Sequence, residues 1–166
     1  MKFDEYEALV KHLFAALVEQ IDGLPADAVG YGRRNRHTGA SGFKHQIDVS
    51  IRTVAELHLI ECKYWKRQVT PGALLCLAAR AHDIRVANPG CAVKSALATT
   101  KGQSAGVNKL AEFFKVTLQR VGSPEEFALK YRDQIHLSVP AESVYVIDTV
   151  KADLVPAIQD RPIGET

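Results

Sequence analysis

Apolar and polar residues alternate most regularly between Gln46 and Lys63. Ile47, Val49 and Ile51 interleave with Gln46, Asp48, Ser50 and Arg52, the period-two pattern of a strand with one buried face. A second such run spans Leu57 to Trp65, with Ile60 and Cys62 on one side and Leu59, Glu61, Lys63 and Trp65 on the other. A tight hairpin between the two runs has two natural registers. Pairing Thr53 with Glu56 sets Asp48 opposite Glu61, and pairing Val54 with Leu57 sets it opposite Lys63. Either register puts all three polar groups on one face, because residues opposite each other across a ladder share a side.

Around this hairpin the pattern switches between helix and strand periods. Residues 3–21 carry Phe3, Val10, Phe14, Leu17 and Ile21 at four–three spacing and predict an amphipathic helix ended by Gly23 and Pro25. Glu7 falls on that apolar seam, where a carboxylate needs a partner, a metal or the solvent of a first helical turn. Residues 28–44 predict a strand leading into a glycine-rich loop. Thr70-Pro71 are N-cap and first-turn signals for a helix to about Arg85, packed through Leu74, Leu77, Ala78 and Ala81. Asn88-Pro89-Gly90 predicts a turn and Cys91–Thr99 a buried strand. A loop over Thr100–Ser104, a helix through Val107, Leu110, Ala111 and Phe114, and a strand from Val116 to Val121 follow. Ser123-Pro124-Glu125-Glu126 opens a short helix, and Val144–Ile147 reads as one more strand. The expected fold is therefore α/β, a mixed sheet of about five strands covered by helices.

Composition narrows the class. The 166 residues suffice for one domain with a real core, and the apolar (46%) and charged (24%) fractions are those of a globular protein. No apolar run approaches the roughly 18–20 residues of a membrane span, and the acidic N-terminus is unlike a signal peptide. Cys62, Cys76 and Cys91 lack C-x-x-C spacing and lie among apolar residues, which points to buried thiols and a reducing, cytoplasmic setting. The histidines show no zinc spacing. With a net charge of only +2, any nucleic-acid partner must be sought in local clusters.

Two such clusters adjoin the hairpin. Arg33, Arg34, Arg36, His37 and Lys44 concentrate charge just before it, and the basic aromatic run Tyr64-Trp65-Lys66-Arg67 follows it. The first cluster suits phosphate contact from a loop that can approach a nucleic-acid backbone, and equally a solvated edge strand. The acids Asp48 and Glu61 with Lys63 can hold a hard divalent cation beside a water or phosphate. The plainer alternative is a salt-bridge cluster on the solvated face of a hairpin.

The strings QIDV and LIECKYWKRQVT resemble the core of the PD-(D/E)xK nuclease superfamily, particularly its Mrr-like restriction endonucleases. The resemblance covers residues 3–120. Asp48 matches the metal-binding acid, and Glu61-Cys62-Lys63 matches the E-x-K; Ile47 replaces the proline of the name. It implies a restriction-endonuclease-like core over 1–122, with 123–166 as an extension. It also implies Mg²⁺ (or Mn²⁺) at Asp48 and Glu61, with Glu7 as a metal-proximal acid of the first helix. Lys63 would act at the attacking water. DNA is the expected partner, with a homodimer as the candidate assembly and no membrane. The DNA-contacting candidates are Arg33, Arg34, Arg36, Lys44, Gln46, Lys66 and Arg67 in and beside the two basic clusters, with Thr100, Lys101 and Gln103 in a loop that the resemblance sets near the active edge. That loop reads equally well as an ordinary connection capped by Ser104. A Holliday-junction resolvase, which would also use a Ser-Gly loop such as Ser41-Gly42, and a catalytically silent DNA-binding module are the alternatives on the same fold.

Overall fold

In the computed structural model the described residues are 28–63 and 68–122, together with positions 11, 12, 15, 126, 129 and 130. All belong to the first of two compact units, Met1–Arg132 and Asp133–Thr166. Of the helix expected over 3–21, only Lys11, His12 and Ala15 are described, and they are helical. Glu7, Lys66, Arg67 and the strand expected at 144–147 lie outside the described residues.

The elements are β1 (Val29–Tyr31), β2 (Arg36–Thr38), β3 (Lys44–Gln46), β4 (Val49–Arg52), β5 (Glu56–Lys63), α1 (Pro71–Ala87), β6 (Ala92–Thr99), α2 (Ala105–Phe114) and β7 (Val116–Arg120). Five strands form one mixed sheet in the order β1-β4-β5-β6-β7, antiparallel through β5 and parallel from β5 to β7. This is the α/β architecture expected of a restriction-endonuclease-like chain. The region 28–44 departs from expectation. Instead of one strand and a loop, it gives β1, a single 3-10 turn over Gly32–Arg34, and a separate two-stranded hairpin of β2 and β3.

The hairpin β4–β5 adopts the Thr53/Glu56 register, pairing Arg52 with Leu57 and Val49 with Ile60. Its turn closes through the Thr53 amide donating to the Glu56 carbonyl at 2.9 Å and the Glu56 amide donating to Thr53 Oγ1 at 3.0 Å. The two connecting helices start on the caps the sequence announces. Thr70 Oγ1 accepts from the Ala73 amide and Ser104 Oγ from the Val107 amide, each at 3.3 Å. A bridge between Val69 and Gln103 sets these two helix starts side by side.

The sheet face that carries Asp48, Glu61 and Lys63 also carries the core. Leu57, Leu59 and Val93 pack with Ile47 and with Ala81 and Ile84 of α1. Leu97 and Val116 pack with Leu74, Leu77 and Ala78 of α1 and with Val107 and Ala111 of α2. Each fully buried leucine or isoleucine contributes roughly 1.5–3 kcal/mol. The three polar groups are thus tucked under a helix and are not on a solvated hairpin face, which corrects the plainer alternative above. Among the cysteines, Cys62 is buried and Cys91 partly so, but Cys76 is exposed on α1, against expectation.

Candidate active site

Asp48 stands one residue before β4, and the strand register carries it opposite Glu61 near the end of β5. Its Oδ2 accepts from the Cys62 amide at 2.8 Å, a charge-assisted bond that fixes the carboxylate between the strands. Glu61 Oε1 meets Lys63 Nζ at 2.6 Å, and Glu61 Oε2 lies 3.5 Å from Arg80 Nη1 on α1. Asp48 and Glu61 are only 7% and 8% exposed, so their charges must be compensated inside the protein. Cys62 points to the other face. Burial, with Asp48 and Glu61 beside it, pushes its thiol well above the ordinary range, so it stays protonated and is no nucleophile.

The backbone beneath Asp48 is held by a polar residue whose role the sequence did not reveal. Asn35 is 9% exposed. Its Nδ2 donates to the Ile47 carbonyl at 2.9 Å, and its Oδ1 accepts from Ser50 Oγ at 2.9 Å. The Asn35 carbonyl accepts from the Ile47 amide at 3.0 Å, and the Gly32 amide donates to the Asp48 carbonyl at 3.0 Å. His37 Nε2 lies 3.1 Å from the same Oδ1; its imidazole, lowered in pKa by burial and then by Arg52, favours the neutral form. The approach is so close that a Cβ at residue 30 would overlap Asn35 Oδ1, which is why β1 carries Gly30. A carboxamide committed in this way cannot pair with adenine, the one base-reading role its side chain could have offered.

Arg80 is the other residue the pattern passed over. Its Nη1 lies 3.4 Å from the Gln46 carbonyl as well as near Glu61, so it joins the end of β3 to the acid pair. The remaining candidates fall into two groups. Lys63 pairs with Thr99 across the parallel ladder. The loop carrying Thr100, Lys101 and Gln103 therefore leaves the sheet beside the site, at the carboxyl end of parallel strands where α/β proteins commonly bind ligands. Arg33, Arg34, Arg36, Lys44 and Gln46 are exposed on the β2–β3 hairpin and its approach.

That hairpin is clamped to α1 by Asp83. Ser41 donates to the carboxylate through its amide at 2.9 Å and its Oγ at 2.6 Å, and His45 Nε2 lies 2.7 Å from Oδ2. The Ser41 hydroxyl of the Ser-Gly pair is thereby engaged in anchoring. Chiefly through the Ser41 hydroxyl and then His45, the Asp83 carboxyl is lowered from 3.8 to about 2. A depressed folded-state pKa gives stability that is present above the unfolded value and lost as pH falls through the folded one. Denaturant midpoints should therefore decline between about pH 4 and pH 2, and Asp83→Asn should make that decline shallower. An identical pH slope in the variant would exclude Asp83 as its source.

The donor set fits a hard cation. Asp48 and Glu61 offer carboxylate oxygens, and Mg²⁺ is commonly held by one or two carboxylates plus waters and substrate phosphate. Among the described residues no third histidine, cysteine or acid completes a metal-ligating group with them.

Fold and cluster together define a mixed α/β protein of restriction-endonuclease-like architecture, with two buried acids, a lysine and an arginine at the carboxyl edge of its parallel strands. No protein-family model matches the chain, and no curated protein does. Solved structures do. The protein of unknown function AF1548 is 21% identical with a TM-score of 0.51, over 68% of this chain and 56% of that one. Protein VC1899 from Vibrio cholerae is 15% identical with a TM-score of 0.55, over 77% of this chain and 33% of that one. Can2 from Sulfobacillus thermosulfidooxidans, in complex with cyclic tetra-adenylate, aligns over 80% of this chain and 35% of its own, at 14% identity and a TM-score of 0.49. At such identities the first two likenesses are of fold alone, and this chain spans less than two thirds of each of the three. No helix among the described residues is long and apolar enough to cross a membrane.

Proposed function

We propose that the chain is a metal-dependent endodeoxyribonuclease of the PD-(D/E)xK kind, Mrr-like in the strings around Asp48 and Glu61. The observation that carries this reading is the convergence of Asp48, Glu61, Lys63 and Arg80 on one edge of the sheet, with both acids buried. A purely structural salt bridge rarely justifies burying two carboxylates together, since the desolvation of each costs several kcal/mol. A site that must gather cations and a phosphate does justify it.

In this reading Asp48 and Glu61 hold Mg²⁺ or Mn²⁺, with Glu7 as a third acid. Bound there, the ion would polarise the scissile phosphoryl group and acidify an attacking water. Lys63 orients that water and offsets charge developing on the phosphate. Arg80, already 3.5 Å from Glu61, is placed to pair with a phosphate oxygen. Thr100, Lys101 and Gln103 approach the DNA from the neighbouring strand end, and Lys66 and Arg67 from the segment after β5. DNA nicking that depends on added Mg²⁺ is the direct test.

The cations of the β2–β3 region supply affinity in this reading. Arg33, Arg34 and Arg36 are exposed and clustered within four residues, which suits contact with successive phosphates. In the triple alanine variant, DNA binding should weaken alike for every sequence. The log–log salt slope should flatten by about three, at roughly 0.9 per phosphate contact. An unchanged slope would make the region a solvated edge and move the DNA surface to Lys66, Arg67 and the Thr100–Gln103 loop.

A further inference from the structure

The β2–β3 hairpin ends in an aromatic residue that the protein leaves in water. Phe43 is 65% exposed, its ring centroid 5.0 Å from that of His45 at an interplanar angle of 60°. An isolated exposed phenylalanine is unremarkable on a flexible loop. This one sits on a loop fixed at almost every residue. The Gly39 amide donates to the Phe43 carbonyl at 2.9 Å, the Gly42 amide to the Gly39 carbonyl at 3.0 Å, and the Ala40 amide to the Asp83 carbonyl at 3.1 Å. The Asp83 carboxylate takes Ser41 and His45, as above. Gly39 passes so close that a Cβ there would overlap that carboxylate, and Gly42 has φ +80°. Ordering a loop costs conformational entropy, and here the ordering buries no aromatic ring. It holds one out.

What surrounds the ring says what it meets. Lys44 follows it directly, Arg36 lies on the paired strand, and Arg33 and Arg34 precede that strand; all four are exposed. A polyanion drawn to these cations must offer an apolar surface to the ring, and in DNA that surface is the face of a base. Aromatic and aliphatic wedges do insert between base steps, and bases stack on aromatic side chains. The arm is also tied closely to the acids along the chain. Phe43 is five residues before Asp48, so their Cα atoms are at most about 18 Å apart, or about five base pairs at the 3.4 Å rise of duplex DNA.

We propose that the β2–β3 hairpin is a preordered arm that seats Phe43 against the bases of duplex DNA, within about five base pairs of the proposed cation site at Asp48 and Glu61. The distance to the cut rests on the nuclease reading of those acids; the contact itself does not. Preordering the arm lowers the entropy lost on binding, which gives the Asp83 clamp its purpose.

The test uses the full chain without added metal and short duplexes carrying the fluorescent base 2-aminopurine. Saturating parent protein should raise its fluorescence by unstacking it, and Phe43→Ala should abolish the rise. Phe43→Ala should also weaken binding by about 5- to 150-fold, the range for loss of one stacked base. Its salt slope and thermal midpoint should stay unchanged, because no charge and no core contact is removed. Phe43→Trp should restore affinity. If the parent binds DNA and Phe43→Ala binds equally well, with no change in base fluorescence, the arm's role is overturned while the nuclease reading stands. If the parent binds no duplex at all, the arm's role is overturned, and plasmid cleavage with Mg²⁺ decides the nuclease reading separately. If Phe43→Ala instead alters only self-association, the tip is a protein contact and the inference is wrong.

Discussion

Replacing Asp48 by Asn should eliminate DNA cleavage and leave the protein as stable as the parent. The two halves of this result have separate causes. In Asp48→Asn the remaining carbonyl oxygen can still accept the Cys62 amide, which now reaches Oδ2 at 2.8 Å, so the join between β4 and β5 survives. The negative charge that would hold the cation does not. Cation stabilisation of a phosphoryl transition state is worth several kcal/mol, so the loss should be on the order of 10³-fold or more. Asp48→Ala should behave differently. It strands a buried amide without its acceptor, at about 1–3 kcal/mol, and loses stability along with activity. Lys63→Met, which keeps the stem and drops the charge, should cost about 10²–10³-fold, the scale for one lost donor to developing charge. Rates measured on plasmid alongside denaturant midpoints separate these cases. A cleavage-competent Asp48→Asn would remove the carboxylate from the mechanism.

The second large effect is expected at a residue that touches no substrate. Asn35→Ala should lower stability by about 2–4 kcal/mol, since it leaves the Ile47 carbonyl and the Ser50 hydroxyl buried without their partner. The same bonds set the height of the Asp48 backbone. Under conditions where the variant is fully folded, its metal-activation midpoint should rise, because the carboxylate is no longer held in register. That rise marks a positioning role, since stability loss alone would not move it. A variant with parental stability and parental metal response would show that the Asn35 network neither supports the fold nor aims Asp48.

These two residues also mark how far the sequence could be read. Asp48, Glu61 and Lys63 were legible because strand periodicity fixes the face of a side chain, and the Thr53/Glu56 turn left few registers to choose from. The helix starts at Thr70 and Ser104 were legible because capping is local chemistry. Asn35 was not. Its partners lie 12 and 15 residues away, and a polar residue among arginines gives no hint that it is buried. Arg80 looked like the outer side of a helix whose packing stripe ends in Ala81. It meets Glu61 only because α1 crosses beside β3. The β2–β3 hairpin was missed for a related reason. Its strands are three residues each and have no apolar alternation, because tertiary contacts through Asp83 and Asn35 hold them. A solvated face stayed open as the plainer alternative because a period-two pattern does not say what covers a sheet.

The central claim is that Asp48, Glu61 and Lys63 hydrolyse DNA with a divalent cation. Supercoiled plasmid incubated with purified parent protein, Asp48→Asn and Lys63→Met, each with Mg²⁺, with Mn²⁺ and with chelator, tests it most directly. The account predicts nicked and linear plasmid from the parent only when metal is present, and intact supercoil from both variants. A parent inactive with every metal and DNA form tried, or variants that cut as fast as the parent, would contradict it.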